Sequence, residues 1–417
     1  MSPSKWFLPA AARAAFGGSV LYRGWLALLV AGVAGGVVAY AVQLDEGLYV
    51  TNMTDQVSWG MYIANFTFQV GVAAAAVMVV IPAYAYRIEA FKRIVFIGEA
   101  LALSAVITCL MYVTVDLGRP ERAWHLIPWW GSLNFPASIL SWDVVVLAGY
   151  FAINSALVWL SLRGGYYGRR PNPRVYVPLV FVSMVWAISI HTVTAFLYSW
   201  LGARPYWNSA IVTPRFLASA FVSGPAFLVL ALRVIRRFGG YEVDDHVFVT
   251  FRRIMSVTLL VNLFLFAAEV FTELYGGSLH AASMRYLLFG HHEHIGLRAY
   301  IWAGLGLDVI ATVVLLSPLS KRARWLDAAC VAAFLGVWIE KGMALVVPGF
   351  IPTPLGEFVE YVPSVVEWVV SLGIWCFGLL VFSILVRLGV QIEHGALRAP
   401  GLPAAPVASQ GSEEAKA

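Results

Sequence analysis

Ten apolar runs, each about twenty residues long, leave this chain few ways to fold. They fall at Trp25–Leu44, Trp59–Tyr86, Ile94–Val115, Ile139–Leu162, Tyr176–Leu201, Phe216–Ile235, Ile254–Leu274, Leu297–Leu316, Trp325–Val347 and Val365–Val386. A run of that length matches an α-helix crossing the hydrocarbon core of a bilayer. The runs lack strand-like alternation, and backbone groups in lipid must bond within the segment, so helices are favoured over a barrel. Only 12% of the 417 residues are charged, against about 25% in soluble domains. The expected fold is an all-α integral membrane protein of about ten helices. Two four-helix bundles are expected, with the first and last helices peripheral.

Residues 1–24 are expected to form a cytoplasmic N-terminal segment and 25–388 the transmembrane domain. Residues 389–417 read as a cytoplasmic tail, largely disordered, because Pro, Ala, Ser and Glu crowd its end. No segment reads as a cleaved signal peptide. Trp6, Phe7, Leu8 and Phe16 among basic residues fit an interfacial helix or a frayed terminus.

Lys and Arg set the orientation. Twenty-one of the 28 lie at one end of the runs, including Arg87, Arg169, Arg170 and Arg253. The other end holds Arg119, Arg122, Arg204, Arg215, Arg285, Arg298 and Lys341. The positive-inside rule then places both termini in the cytoplasm of a bacterial or archaeal cell, in its cytoplasmic membrane. Topology thus accounts for the net charge of +5, and no nucleic-acid partner is called for.

On this assignment the polar motifs gather at the outer face. Asp116-Leu117-Gly118-Arg119-Pro120 closes the third run with an acid and a base three residues apart. Ser138-Ile139-Leu140-Ser141-Trp142-Asp143 opens the fourth. Ionisable groups at membrane depth are functional candidates by default. Cofactor signals are sparse. Cys109, Cys330 and Cys376 are isolated within runs, too few for an iron–sulfur cluster. Among the histidines only His191 lies well inside a run, which disfavours intrinsic haem. His291-His292-Glu293-His294 lacks a spacing that fixes a metal geometry. The absence of a Walker motif excludes ATP-driven transport by this chain alone.

An organic redox ligand entering from lipid fits what is left. A quinone headgroup, menaquinone or ubiquinone, needs hydrogen-bond donors at its oxygens and a titratable group to pass protons. Asp116, Arg119, Asp143 and His191 offer the polar half of such a site, and Trp59, Tyr62 and Trp142 offer aromatic walls and donors. Each has a structural alternative. Asp116 and Arg119 fit a boundary ion pair, Asp143 a helix N-cap, His191 a packed core histidine, and the tryptophans an interfacial belt. Glu269, Asp308 and Glu340 lie deeper, as candidates for proton transfer or for structural pairing, for example of Lys341 with a nearby acid.

These motifs carry a resemblance. Trp59-Gly60, Asp116 to Arg122, Ser138 with Ser141-Trp142, Ala203-Arg204-Pro205-Tyr206-Trp207-Asn208, Pro214, Phe216, Ser219-Ala220 and Ser223-Gly224 resemble the NrfD/PsrC family. These are integral membrane subunits of polysulfide-reductase-type respiratory complexes. Trp338 to Gly342, Pro348 to Pro352 and Tyr361-Val362-Pro363 resemble the DsrP branch, linked to sulfur metabolism. The resemblance implies a quinone site near the outer face. It also implies a docked periplasmic iron–sulfur protein with a multihaem cytochrome c, and further membrane and cytoplasmic subunits. Arg204 and Trp207 are candidates for that docking. It implies no haem or cluster held by this chain. Asp143 departs from the glycine that many members place after Ser-Trp.

Two other classes stay open: a secondary transporter or ion channel, and a quinone-free membrane anchor. Transporters often show inverted repeats and broken helices. Neither stands out in this sequence.

Overall fold

A computed structural model describes residues 6–127, 129–277 and 280–402. The extreme tail from 403, the segment read above as disordered, lies outside the described residues, as do the first five. Among the described residues, ten helices are long and apolar enough to cross a membrane. They are Val20–Glu46, Met61–Ala85, Val95–Asp116, Ile139–Tyr166, Pro173–Ser199, Val212–Phe238, Asp245–Gly276, Gly296–Leu316, Ala323–Phe350 and Val365–Glu393, numbered here as spans one to ten. The apolar runs thus mark each helix, and most of the helices overshoot them by a few residues. Local signals set several starts. Ser19 accepts from the Tyr22 amide, Asp244 accepts from the His246 amide, and Ser364 with Glu367 forms a reciprocal cap.

Spans two to five pack as one group and spans six to nine as another. Span six joins the groups by packing on spans two and five. Span two lies at the centre, with 94% of its apolar window buried, whereas only 17% of span one is buried. Span one leans on span ten. Their backbones meet at Gly36 and Gly373, where a Cβ on Gly36 would come 2.7 Å from the Gly373 Cα. Small residues let membrane helices approach this closely.

Two spans are interrupted. Span two breaks at Ala74 and closes in a π-turn over Ile81–Ala85 that contains Pro82. Span nine leaves helical geometry at Gly342 (φ −86°, ψ −104°) and resumes at Met343. Neither break falls at a proline, so the residue pattern carries no sign of a broken helix. Alternation of the spans gathers Asp116, Trp59, Arg204 and Gly342 toward one end, the motif end. The end carrying Arg87, Arg169 and Arg253 is the basic end.

A candidate site of three polar clusters

The first cluster lies at the motif end between spans one, two, three and ten. Asp116 is the last residue of span three, half-buried, and its Oδ1 is enclosed without a partner. Beside it, Gln43 Nε2 donates to the Val115 carbonyl at 2.7 Å and Tyr62 Oη donates to Gln43 Oε1 at 2.6 Å. Tyr62 lies within electrostatic range of Asp116, Glu367 and Tyr40. The Tyr40 hydroxyl is also buried and unpartnered. Glu367 is fully buried and accepts from the Asn52 amide at 3.0 Å and from the Tyr361 hydroxyl. Tyr361 in turn accepts from the Met61 amide at 2.8 Å. Burial first, then the Glu367 charge, pushes the Tyr361 phenol well above its ordinary range, so it stays a donor.

The second cluster lies inside spans two, four and five. Asp143 Oδ1 accepts from Thr194 at 2.7 Å, and Thr67 and Tyr198 share a 2.5 Å hydrogen bond. His191 Nδ1 sits 2.8 Å from the Ala187 carbonyl, while Nε2 is buried without a partner. A carbonyl only accepts, so Nδ1 carries the proton and Nε2 is left as an open acceptor. Trp59 stacks on Trp207 at 5.5 Å and meets Tyr198 edge-on at 5.8 Å.

The third cluster lies between spans six to nine. Arg215 bonds Glu269 through Nη1 and Glu340 through Nη2. Asn262 Nδ2 donates to Glu340 at 2.6 Å. Lys341 donates to the Phe216 carbonyl at 3.3 Å and sits 4.3 Å over the Phe216 ring. A narrow crevice lined by Arg215, Ser219, Asn262, Glu340 and Lys341 opens here. Asp308 in span eight is fully buried, and neither of its oxygens has a hydrogen-bond partner among the described residues.

Several expectations change. Arg119 does not pair with Asp116: it is solvent-facing and lies 3.7 Å from Glu121, because the chain turns extended at Leu117 and carries the guanidinium away. Asp143 is no cap, being the fifth residue of its helix, with Ser138 at the cap position. Trp142 sits at the surface, donates to the Pro136 carbonyl at 2.8 Å and leans on Phe135. Trp207 is 1% exposed and donates to the Leu345 carbonyl, so it cannot present its ring to a partner. Arg204 is half-buried, 4.8 Å over the Phe350 ring. Lys341 forms no ion pair among the described residues, contrary to the expected acid partner. Trp59, Tyr62, Asp116, Asp143 and His191 do converge on the motif half, split between two clusters. Sequence reasoning passed over Tyr40, Gln43, Glu367 and Arg215. Arg215, one of the seven cations at the motif end, is nearly sealed from solvent, and three carboxylates inside apolar runs already call for a buried cation.

A model of the family described as Polysulphide reductase, NrfD, matches residues 49–352. A selenate reductase subunit of Mesobacillus selenatarsenatis is 25% identical over 85% of this chain and 90% of its own length. The Hdr-like menaquinol oxidoreductase integral membrane subunit of Archaeoglobus fulgidus is 23% identical over 91% and 96%. The menaquinone reductase integral membrane subunit of Nitratidesulfovibrio vulgaris is 22% identical over 87% and 90%. The matched segment takes in the second and third clusters and, of the first, Asn52, Tyr62 and Asp116, while Tyr40, Gln43, Tyr361 and Glu367 flank it. This ten-span chain is therefore a member of the NrfD family of membrane proteins.

Proposed function

We propose that the protein is the quinone-interacting membrane subunit of a respiratory redox complex, exchanging electrons between membrane quinone and a periplasmic iron–sulfur protein. The observation that carries this reading is the pair of enclosed oxygens, unpartnered among the described residues, on Asp116 of span three and Tyr40 of span one, both near Tyr62 and Gln43. Buried polar atoms are normally satisfied, so two orphans together fit a missing polar ligand. Two relatives are named for menaquinol or menaquinone, which supports the same ligand class. A bound quinone would supply two-electron, two-proton chemistry. Tyr40 would donate to one carbonyl oxygen, Asp116 would hold or accept the proton, and Tyr62 through Gln43 would fix the backbone beside Asp116. Only 17% of span one's apolar window is buried, so the isoprenoid tail would lie along its lipid-facing side.

The positive-inside rule supports an outward motif end and cytoplasmic termini. Arg119, Arg122 and Arg204 at that end would then face an iron–sulfur protein and its cytochrome. The late motif from Trp338 to Tyr361 supports the sulfur-metabolism branch as the finer reading. For proton transfer, Arg215 forks across Glu269 and Glu340, which favours a fixed lock for those two. Asp308 keeps both oxygens open and is the better candidate in that half.

Quinone extracted from the purified complex tests the reading. Asp116→Asn should lower bound quinone by about tenfold while the partner proteins still co-purify. His191→Leu asks whether the second cluster shares the ligand. Wild-type quinone content in both variants, or none in the native complex, overturns the proposal.

A further inference from the structure

Glu99 belongs to none of these clusters. It lies in the second turn of span three at the basic end and is 1% exposed. Tyr176 donates to its Oε1 at 2.8 Å, and Ser161 donates to Tyr176 at 3.3 Å. Its Oε2 is enclosed without a partner, and no Lys or Arg pairs with it among the described residues. Tyr176 is only half-buried, so the pocket reaches toward the basic end.

From there a polar stripe runs along span four. Ser161, Asn154, Tyr150 and Asp143 are spaced by seven, four and seven residues. At about 100° per residue they stay within about 20° of one line. Together they cover about 27 Å of helix rise, close to the hydrocarbon thickness of about 30 Å. Asn154 and Tyr150 are buried to 1% and 0% exposure. Asn154 Oδ1 has no partner, and Tyr150 Oη donates to the Ala73 carbonyl at 3.0 Å, where span two breaks. A stripe kept only for packing would be apolar. Open oxygens at Glu99 and Asn154 instead leave hydrogen-bonding capacity for bridging water.

We propose that this stripe is a proton route through the first group of spans, loaded at Glu99 from the basic end and delivering to Asp143. One proton enters the Glu99 carboxylate. Hops along the hydroxyls and bridging water, the water held by Asn154 Oδ1, place one proton on Asp143, and no electron moves. The gaps of about 10 Å on either side of the Tyr150–Asn154 pair are where water must serve. The inference rests on the quinone-linked reading, whose reaction would consume or release those protons.

The test uses the whole complex in liposomes, with a pH-sensitive dye on the basic side during quinone-linked turnover. Glu99→Gln and Asn154→Leu should each cut proton uptake from that side by at least about tenfold, with quinone content and the set of co-purifying proteins kept. Unchanged uptake in both overturns the route. If Glu99→Gln fails to assemble, Tyr176→Phe keeps the ring volume and is read in the same way. A readout free of turnover is infrared difference spectroscopy on a pH step. A deuterium-sensitive carboxylic-acid band should vanish in Glu99→Gln and survive in Asp116→Asn. Loss of quinone with that band intact defeats the functional reading alone, whereas a wild-type spectrum without the band defeats the route.

Discussion

Arg215 holds two carboxylates from different spans, and all three groups are nearly sealed from solvent. Such a triad owes little to net Coulomb gain, because removing each charge from water opposes it. Breaking it is another matter. Arg215→Gln leaves Glu269 and Glu340 facing each other uncompensated, at an expected loss of about 3–5 kcal/mol. Thermal unfolding in detergent should show a clear fall in midpoint, and Glu269→Gln added to Arg215→Gln should recover part of it. A midpoint equal to wild type would show that the triad holds nothing together. Asp116 and Glu99 predict the opposite pattern. Neither has a charged partner to strand, so Asp116→Asn should act on quinone content and Glu99→Gln on proton uptake, each with little change in midpoint. Asp116 stood out in the sequence as a candidate because acids at membrane depth are rare. Glu99 carried no such weight, since a lone carboxylate near a run's start looks like a headgroup-level residue until its side chain is seen to point inward.

At the scale of the helix, length and apolarity decided nearly everything that was legible. All ten runs became helices, and caps such as Ser364 with Glu367 sharpened their starts. What composition hides is where a helix breaks. Gly342 interrupts span nine directly after Glu340 and Lys341, next to the charged triad. The contact of span one with span ten is equally invisible along the chain. It depends on Gly36 and Gly373 facing each other from opposite ends of the sequence. Gly36→Leu should therefore loosen span one from span ten and leave the inner spans assembled. Limited proteolysis should cut the loop at 47–60 faster in that variant, with thermal unfolding of the remainder little changed. Protection equal to wild type would mean that the seam repacks around the new side chain.

For the whole molecule, orientation rests on the Lys and Arg asymmetry, and labelling tests it directly. Trp129→Cys places a thiol on an exposed loop at the motif end, and Arg170→Cys one at the basic end. In intact spheroplasts an impermeant maleimide should label the first, and label the second only after permeabilisation. Cys109 and Cys330 are buried and should stay silent. The reverse pattern would invert the proposed topology, and with it the side from which protons are drawn. The amino-acid order alone determined that the chain spans a membrane ten times and gathers its polar motifs at one end, because hydropathy and helix length are local quantities. Only tertiary packing decided which ionisable groups meet. It sent Arg119 outward, brought Arg215 inward to two distant glutamates, and set the unpartnered oxygens of Tyr40 and Asp116 in one cluster. Those pairings join residues far apart in the chain, and their energies depend on burial that no single segment possesses.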